Sequence, residues 1–332
     1  MILKNITLDA LFVIDIKYKK QTTMKFTTES LFEIKEKLKK ELKRLPLDFV
    51  EFEVVDPGLA VDFSGTMISI AGQKYIHRPY KIWVDLAEIL KCRILTPERV
   101  SDNTVLIRYA PLDVSKSWHT NSGIDIREKY GVDSIFAQIK KLEEPYFLSD
   151  YLRCLREIDL KFRANVFNLG VNRGDEFSAF NHVFDENLVS SITFTGLDHC
   201  ESAINEAGDV FKDQNYNFIL CDIKDIPEMH FEKQDLIVTI GTLQSPDFNG
   251  KEIFRYLIQN ILKPDGSIIL GFPNSRYIDR EVMYGAKTKN YTESNMNLLI
   301  KDISFYKKYL QQHGFRVVTF GKYYIFMVAT KN

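Results

Sequence analysis

The sequence predicts a doubly wound α/β domain in the second half of the chain, preceded by a smaller α+β domain. Two observations carry the first part. Beyond residue 164, strand-length apolar runs at 165–169, 192–197, 218–221, 236–240 and 267–272 alternate with helical stretches. Strands alternating with helices make a mainly parallel sheet covered on both faces. The last two runs, 315–320 and 323–329, are separated by almost nothing but Gly321-Lys322. Parallel neighbours need a crossover of about a dozen residues, so this pair is an antiparallel hairpin. A third observation is length. At 332 residues the chain exceeds what one core usually holds, so two domains are expected.

The first half reads differently. Residues 29–45 have helical periodicity and stop at Pro46, and 49–55 and 61–71 read as strands around Pro57-Gly58. Residues 80–92 repeat at helical spacing, 104–109 form a β-branched strand, and 124–142 and 148–160 read as helices. The N-terminal domain is therefore set at 1–145, with 1–23 a loosely attached extension, and the second domain at 146–332. No repeat or low-complexity segment is found.

Composition removes several classes. Aromatic residues at 13% and a net charge of −1 exclude a disordered chain. No apolar run approaches the roughly 18 residues of a membrane-spanning helix. Asp9 and Asp15 interrupt the apolar start, so it is no secretory signal. Cys92, Cys154, Cys200 and Cys221 show no paired spacing, which suits a reducing compartment and leads us to expect a cytoplasmic protein. The six histidines offer no metal-ligand spacing, and no Gly-x-Ser-x-Gly elbow occurs, so neither a metal nor a serine nucleophile is expected. Charge is uneven along the chain. Residues 161–275 hold 9 Lys/Arg against 17 Asp/Glu, a net of −8, and 276–332 hold 10 against 4, a net of +6. The basic end suits an anionic substrate or nucleic acid, or simply a solvated helix face.

The chemistry concentrates where the first strand of the second domain meets a glycine turn, Asn168-Leu169-Gly170-Val171-Asn172-Arg173-Gly174-Asp175-Glu176. Glycine allows a sharp reversal and close backbone approach. A nicotinamide fingerprint needs glycines at the first, third and sixth positions of the turn; Gly170, Asn172 and Asp175 satisfy one of three. Asp175 and Glu176 also disfavour a pyrophosphate at the following helix. The second strand ends on Asp198, spaced to hold the two hydroxyls of a ribose, or to cap a helix. The third ends at Asp222-Ile223, and the fourth at Gly241-Thr242-Leu243-Gln244.

This ordered set resembles the class I S-adenosylmethionine-dependent methyltransferases, over about residues 148–332. The family turn, acid-x-Gly-x-Gly-x-Gly, corresponds to Asn168, Gly170, Asn172 and Gly174, with asparagine replacing the acid and the middle glycine. Asparagine tolerates positive φ better than most residues. The resemblance implies a Rossmann-like fold, S-adenosylmethionine as cofactor, and contacts from those four residues with Asp198, His199, Asp222, Ile223 and Gly241. It also implies methyl transfer to a small-molecule or RNA acceptor. The family's Asp/Asn-Pro-Pro-aromatic signature is missing, which disfavours planar amino acceptors. Gln244, beyond the fourth strand, and Arg280 and Tyr284, beyond the fifth, are the catalytic candidates. Two alternatives stand beside this reading: a degenerate methyltransferase-like binding protein, and a nicotinamide-dependent oxidoreductase.

Overall fold

The predicted apolar runs become strands in the computed structural model, which describes residues 23–44, 48–61, 63–112, 126–162, 164–245, 247–274, 276–278, 281–283 and 296–331. The chain forms two units, Met1–Leu112 and Asp113–Asn332. The division falls well before the boundary expected near 146. Residues 126–144 belong with the second unit because their side chains pair with it: Lys141 meets Glu176, and Ser202 accepts from the Val132 N–H.

In the first unit β1 (Met24–Lys25) lies parallel to β2 (Val50–Val55), and β2 pairs antiparallel with the long strand β7 (Thr104–Pro111). The far edge of β7 takes the short strands β5 (Cys92–Ile94) and β6 (Glu98–Arg99) in succession. Alternation explains the layers. Val50, Phe52 and Val54 face a core with α1 (Leu31–Leu42) and α2 (Tyr80–Ile89), contributed by Ile34, Leu38, Trp83 and Leu86. The intervening Glu51 pairs with Arg108, which also bonds Glu98. One covered and one charged face is the usual state of an antiparallel sheet. The expected strand at 61–71 is shorter. Only β3 (Met67–Ile70) forms, paired with β4 (Gln73–Ile76), because Ala71 and Gly72 both take positive φ and close a hairpin.

The second unit contains a seven-stranded sheet. Its strands are β8 (Asn165–Leu169), β9 (Thr193–Asp198), β10 (Tyr216–Leu220), β11 (Gln234–Ile240), β12 (Leu262–Pro273), β15 (Phe315–Phe320) and β16 (Tyr324–Lys331). Their order is β10-β9-β8-β11-β12-β16-β15. The first five are parallel, and β16 runs antiparallel between β12 and β15. The predicted hairpin is therefore present, with its returning strand inserted into the sheet. Within β12, Lys263-Pro264-Asp265-Gly266 bulges out of register between the Gln234–Leu262 and Leu236–Ser267 pairs.

The inner strands β8, β9, β11, β12 and β16 bury both faces, while the edge strands β10 and β15 are more open. Val166, Phe194 and Val238 meet Tyr151 of α3 (Pro145–Arg156) and Phe177 of α4 (Asp175–Ser178) on one side. Phe167, Ile237 and Leu270 meet Phe254 of α7 (Gly250–Tyr256) and Tyr306 and Leu310 of α8 (Met296–Gln312) on the other. Further helices are α5 (Glu186–Ser191) and α6 (Glu201–Val210), and a small hairpin pairs β13 (Arg276–Ile278) with β14 (Glu281–Met283).

Two helical expectations are corrected. The described part of 124–142 is three 3-10 turns, Ile126–Glu128, Ile135–Gln138 and Lys141–Glu143. Ser134 breaks the helix: its hydroxyl donates to the Gly131 carbonyl and accepts from the Ala137 N–H. The helix expected after the glycine turn is the single turn α4, continued as a 3-10 turn over Ala179–His182. Among the described residues no helix is long and apolar enough to cross a membrane.

Candidate active site

Order reversal in the sheet makes a crevice. The crossovers from β8 and from β11 leave toward opposite neighbours, β9 and β12, so the carboxyl ends of β8 and β11 open between them. Register brings the exits together, with Thr239 opposite Leu169, Leu197 opposite both Leu169 and Ile219, and Asp198 opposite Leu220. The predicted turn, the Asp198 exit and the Gly241 exit thus share one edge.

The turn after β8 is held by its own backbone. The N–H groups of Gly170 and Val171 both donate to the Leu197 carbonyl, at 2.8 and 2.9 Å, and Gly174 N–H donates to Val171. Gly170 has φ +77°, and a Cβ there would collide with the Thr242 hydroxyl. That hydroxyl donates to the Leu169 carbonyl at 2.9 Å and ties the exit of β11 to the exit of β8. Asn172, which replaces the family's middle glycine, takes φ +48°. Its side chain donates to the Tyr130 carbonyl at 2.9 Å, which stabilises a conformation that costs most residues about 1–2 kcal/mol.

Asp198 is only 6% exposed. One carboxylate oxygen accepts from the Asn172 N–H at 2.9 Å and the other from the Cys200 N–H at 3.0 Å. The acid therefore shapes the turn from the carboxyl end of β9. His199 is half-buried, its Nδ1 3.4 Å from Asp198, with the Tyr130 ring against it edge-on. Asp222 is exposed and caps the 3-10 turn Ile223–Glu228, accepting from the Lys224 N–H at 3.0 Å. Ile223 is buried. Gly241 donates to the Gly271 carbonyl, and Gln244 is buried in the following 3-10 turn. Arg280 and Tyr284 lie outside the described residues.

Gly174 has another explanation than ligand approach. It is buried with φ +84°, and a Cβ would stand 2.5 Å from the Phe211 ring.

Several participants escaped the sequence reading. Glu128 accepts from the Ser202 hydroxyl and the Cys200 thiol at the start of α6. The Ser202 hydroxyl, with the thiol and nearby backbone N–H groups, holds the Glu128 carboxyl below its ordinary range. Asn168 and Glu176 are both buried, with the Asn168 amide 3.5 Å from one Glu176 oxygen and the Lys141 ammonium 3.0 Å from the other. Burial works against the Lys141 charge, yet the Glu176 carboxylate outweighs it and raises the lysine pKa. Gly131 and Ser134 were the available signal, since turn residues inside a helical pattern mark a fold-back. All four thiols are buried and pushed up by burial, so none is poised as a thiolate nucleophile. Among the described residues no group of side chains could hold a metal ion.

An open groove of about 530 Å³ lies elsewhere. Its lining includes Asn165, Thr193 and Gln234, the first residues of β8, β9 and β11, and so marks the amino ends of the strands. The chemistry described above sits at the other end.

Two stability outcomes follow. Gly174→Val forces a β-branched side chain into positive φ against Phe211. It should cost at least about 1–2 kcal/mol, seen as a lower melting temperature; an unchanged melt contradicts the packing. Asp198→Ala leaves two backbone N–H groups without their acceptor and should cost about 2–4 kcal/mol. Asp198→Asn, keeping one acceptor oxygen, should lose less. Equal melting of all three proteins would show that the carboxylate does not hold the turn.

A family described as "Methyltransferase domain" matches residues 165–314. No curated protein matches the chain. Among solved structures, a SAM-dependent methyltransferase from Aquifex aeolicus is 18% identical, with 59% of this chain and 98% of that chain covered and a TM-score of 0.41. A chain of the complex between the Haloferax volcanii Trm112 methyltransferase activator and the putative methyltransferase is 13% identical, covering 63% and 99%, with a TM-score of 0.43. The CurJ carbon methyltransferase is 14% identical, covering 80% and 76%, with a TM-score of 0.46. With the family match, the strand order and the left-handed turn beside Asp198 together, the C-terminal half of this chain is a class I S-adenosylmethionine-dependent methyltransferase domain.

Proposed function

We propose that the second unit transfers a methyl group from S-adenosylmethionine to a small-molecule or RNA acceptor at the exit of β11. The observation that carries this reading is the turn itself. Gly170, Val171, Asn172 and Gly174 all spend their N–H groups inside the protein. Such a turn has few donors for a pyrophosphate, and the acids Asp175 and Asp198 lie at it. A ligand carrying positive charge fits it, which favours a sulfonium with an ammonium group over a dinucleotide.

When bound, S-adenosylmethionine supplies an activated methyl group on sulfur. Asp198 keeps free lone pairs beyond its two backbone bonds and would accept from ribose hydroxyls. His199 and Tyr130 would line the cofactor edge, with Ile223 and Asp222 beside the base. Gly241 to Gln244 would face the reacting methyl, where aligning the acceptor and excluding water supply most of the acceleration. The contribution of Arg280 and Tyr284 to acceptor binding is part of the same reading. The geometry at Asn172 speaks against a degenerate binding protein, since the substituted position keeps left-handed backbone.

Titration calorimetry with S-adenosylmethionine, S-adenosylhomocysteine and NAD tests the proposal. Binding of the first two and not of NAD is expected. Asp198→Ala, measured well below its melting temperature, should weaken binding at least about tenfold. Preference for NAD would overturn the reading. Labelled methyl transfer in cell extract, split between nuclease and protease treatments, then distinguishes an RNA acceptor from a small molecule.

A further inference from the structure

Three polar side chains are buried directly behind the glycine turn, and the proposed reaction assigns none of the charged ones a role. Lys141 and Glu176 form an ion pair at 3.0 Å, with side-chain exposures of 11% and 2%. A buried ion pair is a poor source of stability, because desolvation cancels most of the attraction. Its value lies in what it fixes. The second Glu176 oxygen faces the Asn168 amide at 3.5 Å. A carboxylate is an acceptor only, so it selects one of the two amide orientations: the NH2 group toward Glu176, the carbonyl oxygen away from it. That carbonyl oxygen accepts from no donor among the described residues. It belongs to the next-to-last residue of β8, at the mouth of the turn.

We infer that Glu176, clamped by Lys141, is a positioning residue that turns the Asn168 carbonyl oxygen toward the cofactor's amino-acid ammonium group. The inference rests on the S-adenosylmethionine reading above. It explains how a turn with asparagine in place of an acid still receives a cationic ligand: the orienting carboxylate sits one step back, on Glu176, and presents the amide oxygen as the acceptor. Lys141 comes from the 126–144 segment that also carries Glu128 and Tyr130, so the same stretch of chain secures the turn from two sides.

The test compares S-adenosylhomocysteine with 5′-deoxy-5′-methylthioadenosine, which lacks the amino-acid portion, by calorimetry on the full chain. Asn168→Ala leaves the Lys141–Glu176 pair intact but takes the amide from one buried Glu176 oxygen, so it should lower the melting temperature, and binding is measured well below it. The variant should weaken S-adenosylhomocysteine by at least about tenfold and leave methylthioadenosine unchanged. Glu176→Gln should show the same selective loss. The exchange Asn168→Asp with Glu176→Gln preserves the charge count and both hydrogen bonds, with the amide donating in the reverse direction, and should restore affinity to near wild type. Should Glu176→Gln fail to fold, Asn168→Ala and the double exchange still decide. Equal losses for both ligands, or no loss in Asn168→Ala, overturn the inference. Wild-type protein that binds neither compound overturns the cofactor reading first, and this one with it.

Discussion

The Asp198 carboxylate accepts from two backbone N–H groups that belong to different turns, Asn172 after β8 and Cys200 after β9. Parallel strands bring their exits to one edge but do not fix the loops that leave them. Asp198 does so, and the turn geometry depends on it. With Asn172 held, its side chain reaches the Tyr130 carbonyl; with Cys200 held, α6 starts where Glu128 can accept from Ser202. The 126–144 segment is thereby joined to both loops. A single buried acid links sheet, turn and covering segment.

Charge follows from the same arrangement. The turn spends its N–H groups on the Leu197 and Val171 carbonyls and the Asp198 carboxylate. Lys141 is committed to Glu176, and Arg173 of the turn is paired with Glu206 at 3.8 Å. Electrostatics at this edge therefore favour a cation, which is the property separating a sulfonium cofactor from a nucleotide diphosphate. The Thr242 hydroxyl bonded to the Leu169 carbonyl fixes the exit of β11 against the turn. The exits of β8 and β11 are thereby tied together at one edge.

Much of this was legible in the sequence because parallel strands buried on both faces read as continuous apolar runs. All seven strands of the large sheet in the second unit lie where the runs are, and the Gly321 hairpin follows from loop length alone. Gly170, Gly174 and Asp198 stand out from turn chemistry and spacing, whereas Asn168, Asn172, Asp222 and Gly241 were expected at the site only through the family resemblance. The structure gives Gly174 and Asp222 local packing and capping roles that spacing cannot reveal. Residues 126–144 were misread because apolar residues there happen to recur at helical spacing, while Ser134 and Gly131 favour folding back. Glu176 was read only as an acid at a helix start that disfavours a pyrophosphate. Its burial depends on Lys141, some 35 residues earlier, and no local pattern signals that pairing.

The central claim is that the cofactor sits on the turn after β8 and against the exit of β9. Hydrogen exchange by mass spectrometry, with and without S-adenosylhomocysteine, tests it most directly. The account predicts slower exchange in peptides covering 168–176 and 196–202, with the first unit's β2 and β7 unchanged. Protection confined to the groove at the strand starts, around Asn165, Thr193 and Gln234, would contradict it.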